Sequence, residues 1–336
     1  MKEKTSLKGI LVLALVWVLL SSAQLSAQQR GRGINGDWLV KGESNGRIRE
    51  SLISFSRDQE GNQTGHWISG FGGLSELKNI QFGAGKLSFA YDRRNRDGET
   101  STSTFAGTIQ DGQLTGTLSS DRGDYEVKGA RRPRVPSAVG KWEMTFTPGD
   151  REITATLLIK AGVEGKLVAQ WQNESGEHTV TGLTYERGEL IFKNTSKMED
   201  RQWESTFKGT LRGNRISGAF NSDRGEMEVR GQRIGGALIG TWMLETTSER
   251  GTRKQRLLIN PDMSGLYGAT PVKVIKFEDD KVSFKVVFAF GDQTFEMDFA
   301  GKLTQGKLTG ELANDRFSQQ ITGTKIVRTR RRRDSR

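Results

Sequence analysis

Side chains that could carry out catalysis or bind a metal are scarce in this chain. Histidine occurs only twice, as His66 and His178, and cysteine does not occur at all. The two histidines do not occupy equivalent positions in the repeat described below, and neither accompanies a recurring serine and aspartate at triad-like spacing. Two histidines without cysteine also form a poor ligand set for zinc. We therefore predict no catalytic residue, metal ion or cofactor, and interpret both histidines as structural or surface residues.

An Asp-Arg dipeptide recurs at three related positions, which are Asp121-Arg122, Asp223-Arg224 and Asp315-Arg316. The first two pairs follow a serine and precede a glycine, which is typical of a tight turn in which Asp caps the loop and Gly takes a positive φ. In the third pair Phe317 replaces the glycine. An alternative stays open, in which the three pairs form loops on barrel rims and bind an anion or a sugar.

Three aromatic residues also recur at matched positions, namely Trp67, Trp171 and Tyr267. Such rings could stack against a carbohydrate. However, each lies in a segment whose alternation places it with apolar neighbours, which favours a place in the core.

The whole chain is organised around a Gly-x-Trp phrase that opens three successive segments, at Gly36-Asp37-Trp38, Gly140-Lys141-Trp142 and Gly240-Thr241-Trp242. The steps between them are 104 and 100 residues. Ordered matches continue to the end of each segment, which closes on Gly-x-Arg or Gly-x-Lys. The sequence thus predicts three copies of one unit, over residues 36–133, 140–234 and 240–326, joined by short linkers.

Each copy alternates apolar and polar residues with the period of a β-strand. In the third copy Phe295, Met297 and Phe299 share one face, and Glu296 and Asp298 share the other. With turn-forming residues between strands, this pattern predicts eight antiparallel strands per copy, closed into an up-and-down barrel that hides the sheet edges. Inward glycines are expected where the barrel bends or a large neighbour needs room. Two packed sheets per copy remain an alternative.

Two other architectures do not fit the sequence. A propeller repeats every 40–50 residues, about half of the period seen here. An outer-membrane barrel needs an apolar exterior, whereas the outward row of the third copy is charged. The fold class is therefore all-β, with three tandem eight-stranded antiparallel up-and-down barrels.

The opening Gly-x-Trp, the eight-stranded meander and the late basic residue together resemble the lipocalin and wider calycin group. In that family the Trp closes one end of the barrel and a late Arg packs over its ring. The resemblance gives this barrel-plug role to three pairs, which are Trp38 with Arg131, Trp142 with Arg233, and Trp242 with Lys325. The chain lacks the second lipocalin signature, a disulfide and a final helix, and so looks more like lipocalin-like tandem domains of exported bacterial proteins.

The N-terminus is predicted to be a secretory signal peptide over residues 1–27. Lys2, Lys4 and Lys8 precede an apolar run, and small residues follow it, with cleavage after Ala27 or else after Ala23. A retained N-terminal anchor remains an alternative. Residues 28–35 are predicted to be a disordered polar leader. Export without any cysteine favours a bacterial periplasmic or extracellular location and excludes a lipid anchor on a cleavage-site cysteine.

The net charge of +11 is concentrated at the C-terminus. The segment Arg328–Arg336 holds six Arg and one Asp, in a basic disordered tail predicted over residues 327–336. We predict that this tail could bind an anionic envelope surface. The nearly balanced charge elsewhere argues against a nucleic-acid partner.

These observations predict an exported, non-enzymatic binding or interaction protein that takes a small hydrophobic ligand or an envelope partner. Eight strands enclose a space that side chains nearly fill or that holds one small ligand. Two alternatives stay open, a structural or scaffold component of the cell envelope and an accessory module of an exported hydrolase or a weak hydrolase itself. Nothing in the sequence indicates the oligomeric state.

Overall fold

The computed structural model describes residues 33–326 except 45–46, 71–72, 95–98, 163–164, 175, 199–200, 249–250 and 291–292. The predicted signal peptide, most of the predicted leader and the basic tail lie outside these residues. The described part contains 24 β-strands and no helix long and apolar enough to cross a membrane. It divides into two compact units, with the boundary between Arg132 and Pro133.

The strands fall into three sets of eight. The first set is β1 (Gly36–Ser44), β2 (Arg47–Arg57), β3 (Gln63–Ser69), β4 (Gly73–Gly83), β5 (Lys86–Arg94), β6 (Thr100–Gln110), β7 (Gln113–Ser120) and β8 (Gly123–Arg131). The second set is β9 (Gly140–Phe146), β10 (Ile153–Ala161), β11 (Leu167–Gln172), β12 (Glu177–Glu186), β13 (Glu189–Met198), β14 (Arg201–Arg212), β15 (Arg215–Ser222) and β16 (Gly225–Arg233). The third set is β17 (Gly240–Ser248), β18 (Gly251–Ile259), β19 (Gly265–Tyr267), β20 (Thr270–Glu278), β21 (Lys281–Phe290), β22 (Gln293–Thr304), β23 (Lys307–Asn314) and β24 (Phe317–Lys325).

The first and third sets are closed antiparallel barrels in which consecutive strands pair and the first strand pairs with the last. In the first barrel Trp38 lies opposite Ile53 on β2 and opposite Arg131 on β8. In the third, Trp242 lies opposite Leu257 on β18 and Lys325 on β24. The predicted all-β fold of three tandem eight-stranded barrels is confirmed, and closure excludes two separate sheets in these two copies.

The second set departs from full closure. Its strands run in the order β11-β10-β9-β16-β15-β14-β13-β12, so β11 and β12 are the two ends of one curled sheet. They lie side by side, but their described residues form no backbone ladder with each other. We call this line the β11–β12 seam. The corresponding ladders in the other two barrels are short. The strands β3 and β4 pair over four residues, and β19 and β20 pair over three. The seam thus lies at a weak junction of the shared frame.

Each barrel buries its own hydrophobic core. Two facing glycines on the sixth and seventh strands make room for a phenylalanine ring in every copy. The facing pairs are Gly107 and Gly116, Gly209 and Gly218, and Gly301 and Gly310, beside Phe105, Phe207 and Phe299 respectively. Inward glycines were expected beside a large neighbour, and phenylalanine is that neighbour here.

The second and third barrels meet through a packed joint. The Asn214 side-chain amide donates to the carbonyl of Gly236 at 2.9 Å. A Cβ placed on Gly140 would lie 2.5 Å from the carbonyl oxygen of Pro261. Glycine is therefore required at the start of β9 both for this approach and for its φ of 129°.

Candidate functional site

The tryptophan of the Gly-x-Trp phrase lies near the start of the first strand of each barrel, at the end that we call the plug end. Each of the three indoles is fully buried and donates from Nε1 to the carbonyl four residues earlier. The bonds are Trp38 to Ile34 at 2.8 Å, Trp142 to Ala138 at 2.9 Å, and Trp242 to Leu238 at 2.7 Å. The segment before each copy is thereby fixed to the plug end.

A basic residue lies over each indole. The Arg131 guanidinium carbon is 4.6 Å from the Trp38 ring centroid, and the Arg233 carbon is 3.8 Å from that of Trp142. Arg131 donates to the carbonyls of Asn35 and Gly33, and Arg233 donates to those of Val139 and Ser137. The structure thus places both Arg–Trp pairs together with carbonyl acceptors around the guanidinium.

Lysine makes a looser arrangement in the third barrel. Lys325 Nζ is 5.4 Å from the Trp242 ring centroid and donates to the carbonyl of Ala237 at 2.7 Å. Burial lowers the pKa of Lys325. An ammonium cannot match the planar fork of Arg, and a cleft lined partly by Leu303 and Gln305 opens beside it.

The end of the predicted leader belongs to the first barrel. Ile34 is only 2 % exposed and lies in the same core cluster as Trp38. The prediction of disorder over residues 28–35 is therefore wrong for residues 33–35, because the apolar side chain of Ile34 and three hydrogen-bonded carbonyls hold them at the plug end. Residues 28–32 lie outside the described part of the chain.

The opposite end of each barrel, the open end, carries the Asp-Arg pairs in its last hairpin turn. In the first two turns the preceding serine accepts from the backbone N–H of the Arg, as Ser120 does from Arg122 and Ser222 from Arg224, both at 3.2 Å. In the third, Asn314 Oδ1 accepts from the Arg316 N–H at 3.0 Å. The residue before the Asp, rather than the Asp itself, caps these turns.

The Asp-Arg side chains differ among the copies. Asp121 pairs with Arg93 at 3.2 Å on the first open end. Arg224 lies over the ring of Trp203 at 5.2 Å on the second. The three Asp-Arg pairs therefore make different side-chain contacts in the three barrels.

The interior of the open end is filled differently in the first and second barrels. In the first, Trp67 stacks on Tyr91, with centroids 5.0 Å apart and planes 7° apart. In the second, Trp171 takes the place of Trp67, since both lie opposite the inward residue of the preceding strand, Ile53 or Leu157. All these rings are buried, as their alternation predicts.

A polar cluster replaces the stacked ring in the second barrel. His178 Nε2 lies 2.7 Å from Asn173 Oδ1, and His178 Nδ1 lies 3.1 Å from Ser196 Oγ and 3.3 Å from Asn194 Nδ2. With its proton on Nε2, the imidazole donates to Asn173 and accepts at Nδ1. The His178 and Trp171 ring centroids are 6.5 Å apart, so the cluster borders the aromatic core.

Two buried atoms of this end have no hydrogen-bond partner among the described residues. They are the donor Trp171 Nε1 and the acceptor Asn194 Oδ1. The side chains are 4 % and 5 % exposed respectively. Because a buried polar atom without a partner costs about 1–3 kcal/mol, each of these two atoms is a place where a buried water molecule or a ligand group would be stabilised.

Sequence reasoning missed this cluster, although the sequence holds a signal for it. Phe89, Phe192 and Phe284 are equivalent, since each lies opposite the phenylalanine beside the paired glycines. Two residues later the copies hold Tyr91, Asn194 and Val286, so only the second copy breaks the apolar row with an amide. His178, interpreted from sequence as structural or surface, is half-buried in this cluster.

The pKa of His178 is lowered, mainly by burial, with the Asn194 hydrogen bond acting in the opposite direction. The unfolded chain therefore binds protons near the ordinary value of 6.5 more readily than the folded barrel does. We expect the second barrel to keep its stability above pH 6.5 and to lose stability as the pH falls below it. Calorimetry at pH 7.5 and 5.5 should show a lower midpoint at pH 5.5, and the decrease should shrink in His178→Gln.

His66→Gln is the matched control for that measurement, because these are the only two histidines and carboxylates titrate mostly at lower pH. An equal decrease in wild type and His178→Gln would contradict the assignment.

The described residues contain no group of three or more His, Asp or Glu side chains placed to hold a metal ion. The second open end remains the place where unpaired polar atoms, an imidazole and aromatic side chains come together.

No protein-family model matches this sequence, and no match is found among curated proteins. Some solved structures are similar at low identity. A Bacteroides fragilis protein assigned to the outer membrane is 12 % identical, with 60 % of this chain and 98 % of that chain covered and a TM-score of 0.24. A variant of transferrin binding protein B from Haemophilus parasuis is 9 % identical, with 88 % and 76 % covered and a TM-score of 0.21. A DUF3598-family protein of unknown function from Nostoc punctiforme is 13 % identical, with 87 % and 96 % covered and a TM-score of 0.18.

Likenesses of this size carry no argument about function.

Proposed function

We propose that this chain is an exported, non-enzymatic binding protein whose small ligand lies in the open end of the second barrel. The observation that supports this proposal is the pair of buried, unpaired atoms, Trp171 Nε1 and Asn194 Oδ1, in one cluster. A ligand that accepts from the first and donates to the second would remove both costs of burial. The predicted signal peptide supports export, and the shared barrel topology supports a lipocalin-like origin.

The surroundings favour a mainly apolar ligand with few polar groups. Phe146 and Phe220 approach the Trp171 ring, with centroid distances of 6.1 Å and 5.3 Å. Ligand sites are commonly of this kind, with an aromatic lining and a few polar groups that fix orientation. The seam beside Trp171 and His178 offers a route for entry, because β11 and β12 separate there without breaking a ladder.

Native mass spectrometry tests this proposal on the mature chain, residues 28–336, purified without detergent from its own host. We expect a discrete additional mass that organic solvent releases. Trp171→Phe removes the indole donor while keeping an aromatic ring. We expect this variant to carry about tenfold less of the bound ligand than wild type does. Trp67→Phe in the first barrel is the matched control. A bare mass for wild type, or equal retention by both variants, would count against the proposed site.

A second candidate, a weak acyl hydrolase, is favoured by one observation. Ser196, His178 and Asn173 form a chain of hydrogen bonds in the order of nucleophile, base and orienting residue. The imidazole nitrogen that faces Ser196 is also approached by Asn194 at 3.3 Å, which competes for the lone pair. Turnover of p-nitrophenyl acetate that is lost in Ser196→Ala would establish this candidate, whereas equal rates would exclude it.

A further inference from the structure

Tyr91 of the first barrel occupies the position that Asn194 occupies in the polar cluster of the second barrel. Tyr91 lies opposite Ser103, and its counterpart Asn194 lies opposite Ser205. A serine therefore faces both positions across the next strand. The second barrel keeps the serine and replaces a phenol with a shorter amide.

The Tyr91 side chain is a buried, uncharged phenol. Its ring stacks on Trp67, and its hydroxyl group is hydrogen-bonded to Ser103. Burial raises the pKa of Tyr91 well above its ordinary value, so the hydroxyl keeps its proton. This barrel frame thus accommodates an uncharged phenol at its open end.

The second barrel offers the polar partners that a free phenol would need. A hydroxyl group is both an acceptor and a donor, so one hydroxyl could accept from Trp171 Nε1 and donate to Asn194 Oδ1. The side chains whose rings approach Trp171 are Phe146, His178, Phe192 and Phe220, at 5.3–6.5 Å. These rings would contact the aromatic part of such a ligand.

The charge of the site argues for a neutral ligand. Among the described rings that approach Trp171, only that of His178 can become charged, and burial lowers the pKa of His178 and favours its uncharged form. Arg224, in the last hairpin turn of this open end, lies over the ring of Trp203. A carboxylate drawn into the cluster would be buried without a cationic partner, at a high cost.

We propose that the ligand of the second barrel is a small, uncharged phenol whose hydroxyl group pairs with Trp171 and Asn194. This inference rests on the proposed binding function and specifies the chemical class of its ligand. The second barrel would then take from solution the group that the first barrel supplies from its own chain as Tyr91.

The test uses p-cresol, which is the side chain of tyrosine as a free molecule. It is added to the ¹⁵N-labelled mature chain while indole N–H resonances are followed, and Trp171→Phe assigns the resonance of Trp171. We expect a saturable shift of that resonance. Toluene lacks the hydroxyl group and p-toluate is charged. Each should bind about tenfold more weakly than p-cresol, or more weakly still.

Asn194→Tyr is the decisive variant, because it installs in the second barrel the residue that the first barrel has. We expect it to fold and to lose p-cresol binding. Asn194→Val introduces the residue that the third barrel has at Val286. It removes the acceptor without adding a ring and should weaken p-cresol binding about tenfold. Should Asn194→Tyr fail to fold, Asn194→Val still decides the matter.

The proposal of a phenol ligand is overturned by any of three results. The Trp171 resonance does not respond to p-cresol, toluene binds as tightly as p-cresol, or Asn194→Val binds p-cresol as tightly as wild type does. The proposed function has a separate outcome. A host-derived mass that depends on Trp171, together with no response to p-cresol, would leave the binding site standing and exclude this ligand class. A bare mass for wild type together with no response to p-cresol would overturn both the binding site and the phenol.

Discussion

Arg233→Ala should destabilise the second barrel by about 3 kcal/mol, because it leaves two carbonyls and an indole face without their cation. Arg233 is 4 % exposed and donates to the carbonyls of Val139 and Ser137. Burial lowers the pKa of Arg233 to about 10, so the side chain remains charged at neutral pH. Hydrogen exchange of the mature chain should show the slowest amides of residues 140–234 exchanging roughly a hundredfold faster.

The third barrel supplies the matched comparison for this result. Arg233→Lys copies the arrangement of Lys325, with one carbonyl bond in place of two, and should cost about half as much. Lys325→Arg makes the reverse change and should slow exchange in residues 240–326 by about fivefold. If Arg233→Ala exchanges like wild type, the barrel-plug role proposed for these pairs is wrong.

The repeat and the strands could be predicted from sequence because both depend on local patterns. Alternation with a period of two marks each strand, and the turn residues separate them. The plug pairs are implied by the resemblance to the lipocalin group, and the repeat shows only that Gly-x-Trp and the closing Arg or Lys stand at the two ends of each copy. The structure places these residues together because the first and last strands of a closed meander are neighbours.

The features that the sequence analysis missed depend on differences between copies. Asn194 is unusual only when it is set beside Tyr91 and Val286, and the open seam depends on a ladder that is already short in the other barrels. The sequence predicts residues 28–35 to be a disordered leader because this segment is polar, and Ile34 falls within it. An apolar residue four positions before each plug tryptophan, at Ile34, Ala138 and Leu238, is the repeated signal that would have placed it in the core.

Gly116→Ala should destabilise the first barrel by about 3 kcal/mol, the upper part of the usual cost of overpacking. A Cβ at Gly116 would lie 2.5 Å from the carbonyl oxygen of Ala106 and 2.6 Å from the Phe105 ring. The backbone neighbour belongs to the paired strand β6 and cannot move without disturbing the ladder. Hydrogen exchange should become roughly a hundredfold faster over residues 36–131 and remain unchanged over residues 140–326.

Gly83→Ala is the control within the same barrel, because a Cβ there would meet nothing within 4 Å. It should leave exchange unchanged or slow it slightly, since alanine narrows the unfolded ensemble. Adding Phe105→Leu to Gly116→Ala removes the ring contact and leaves the backbone contact, so we expect only part of the loss to be recovered beyond the cost of Phe105→Leu alone. If Gly116→Ala and Gly83→Ala show the same hydrogen-exchange rates, the Phe105 ring does not need the space between the paired glycines. The glycines would then reflect only the usual residue composition of strands and turns.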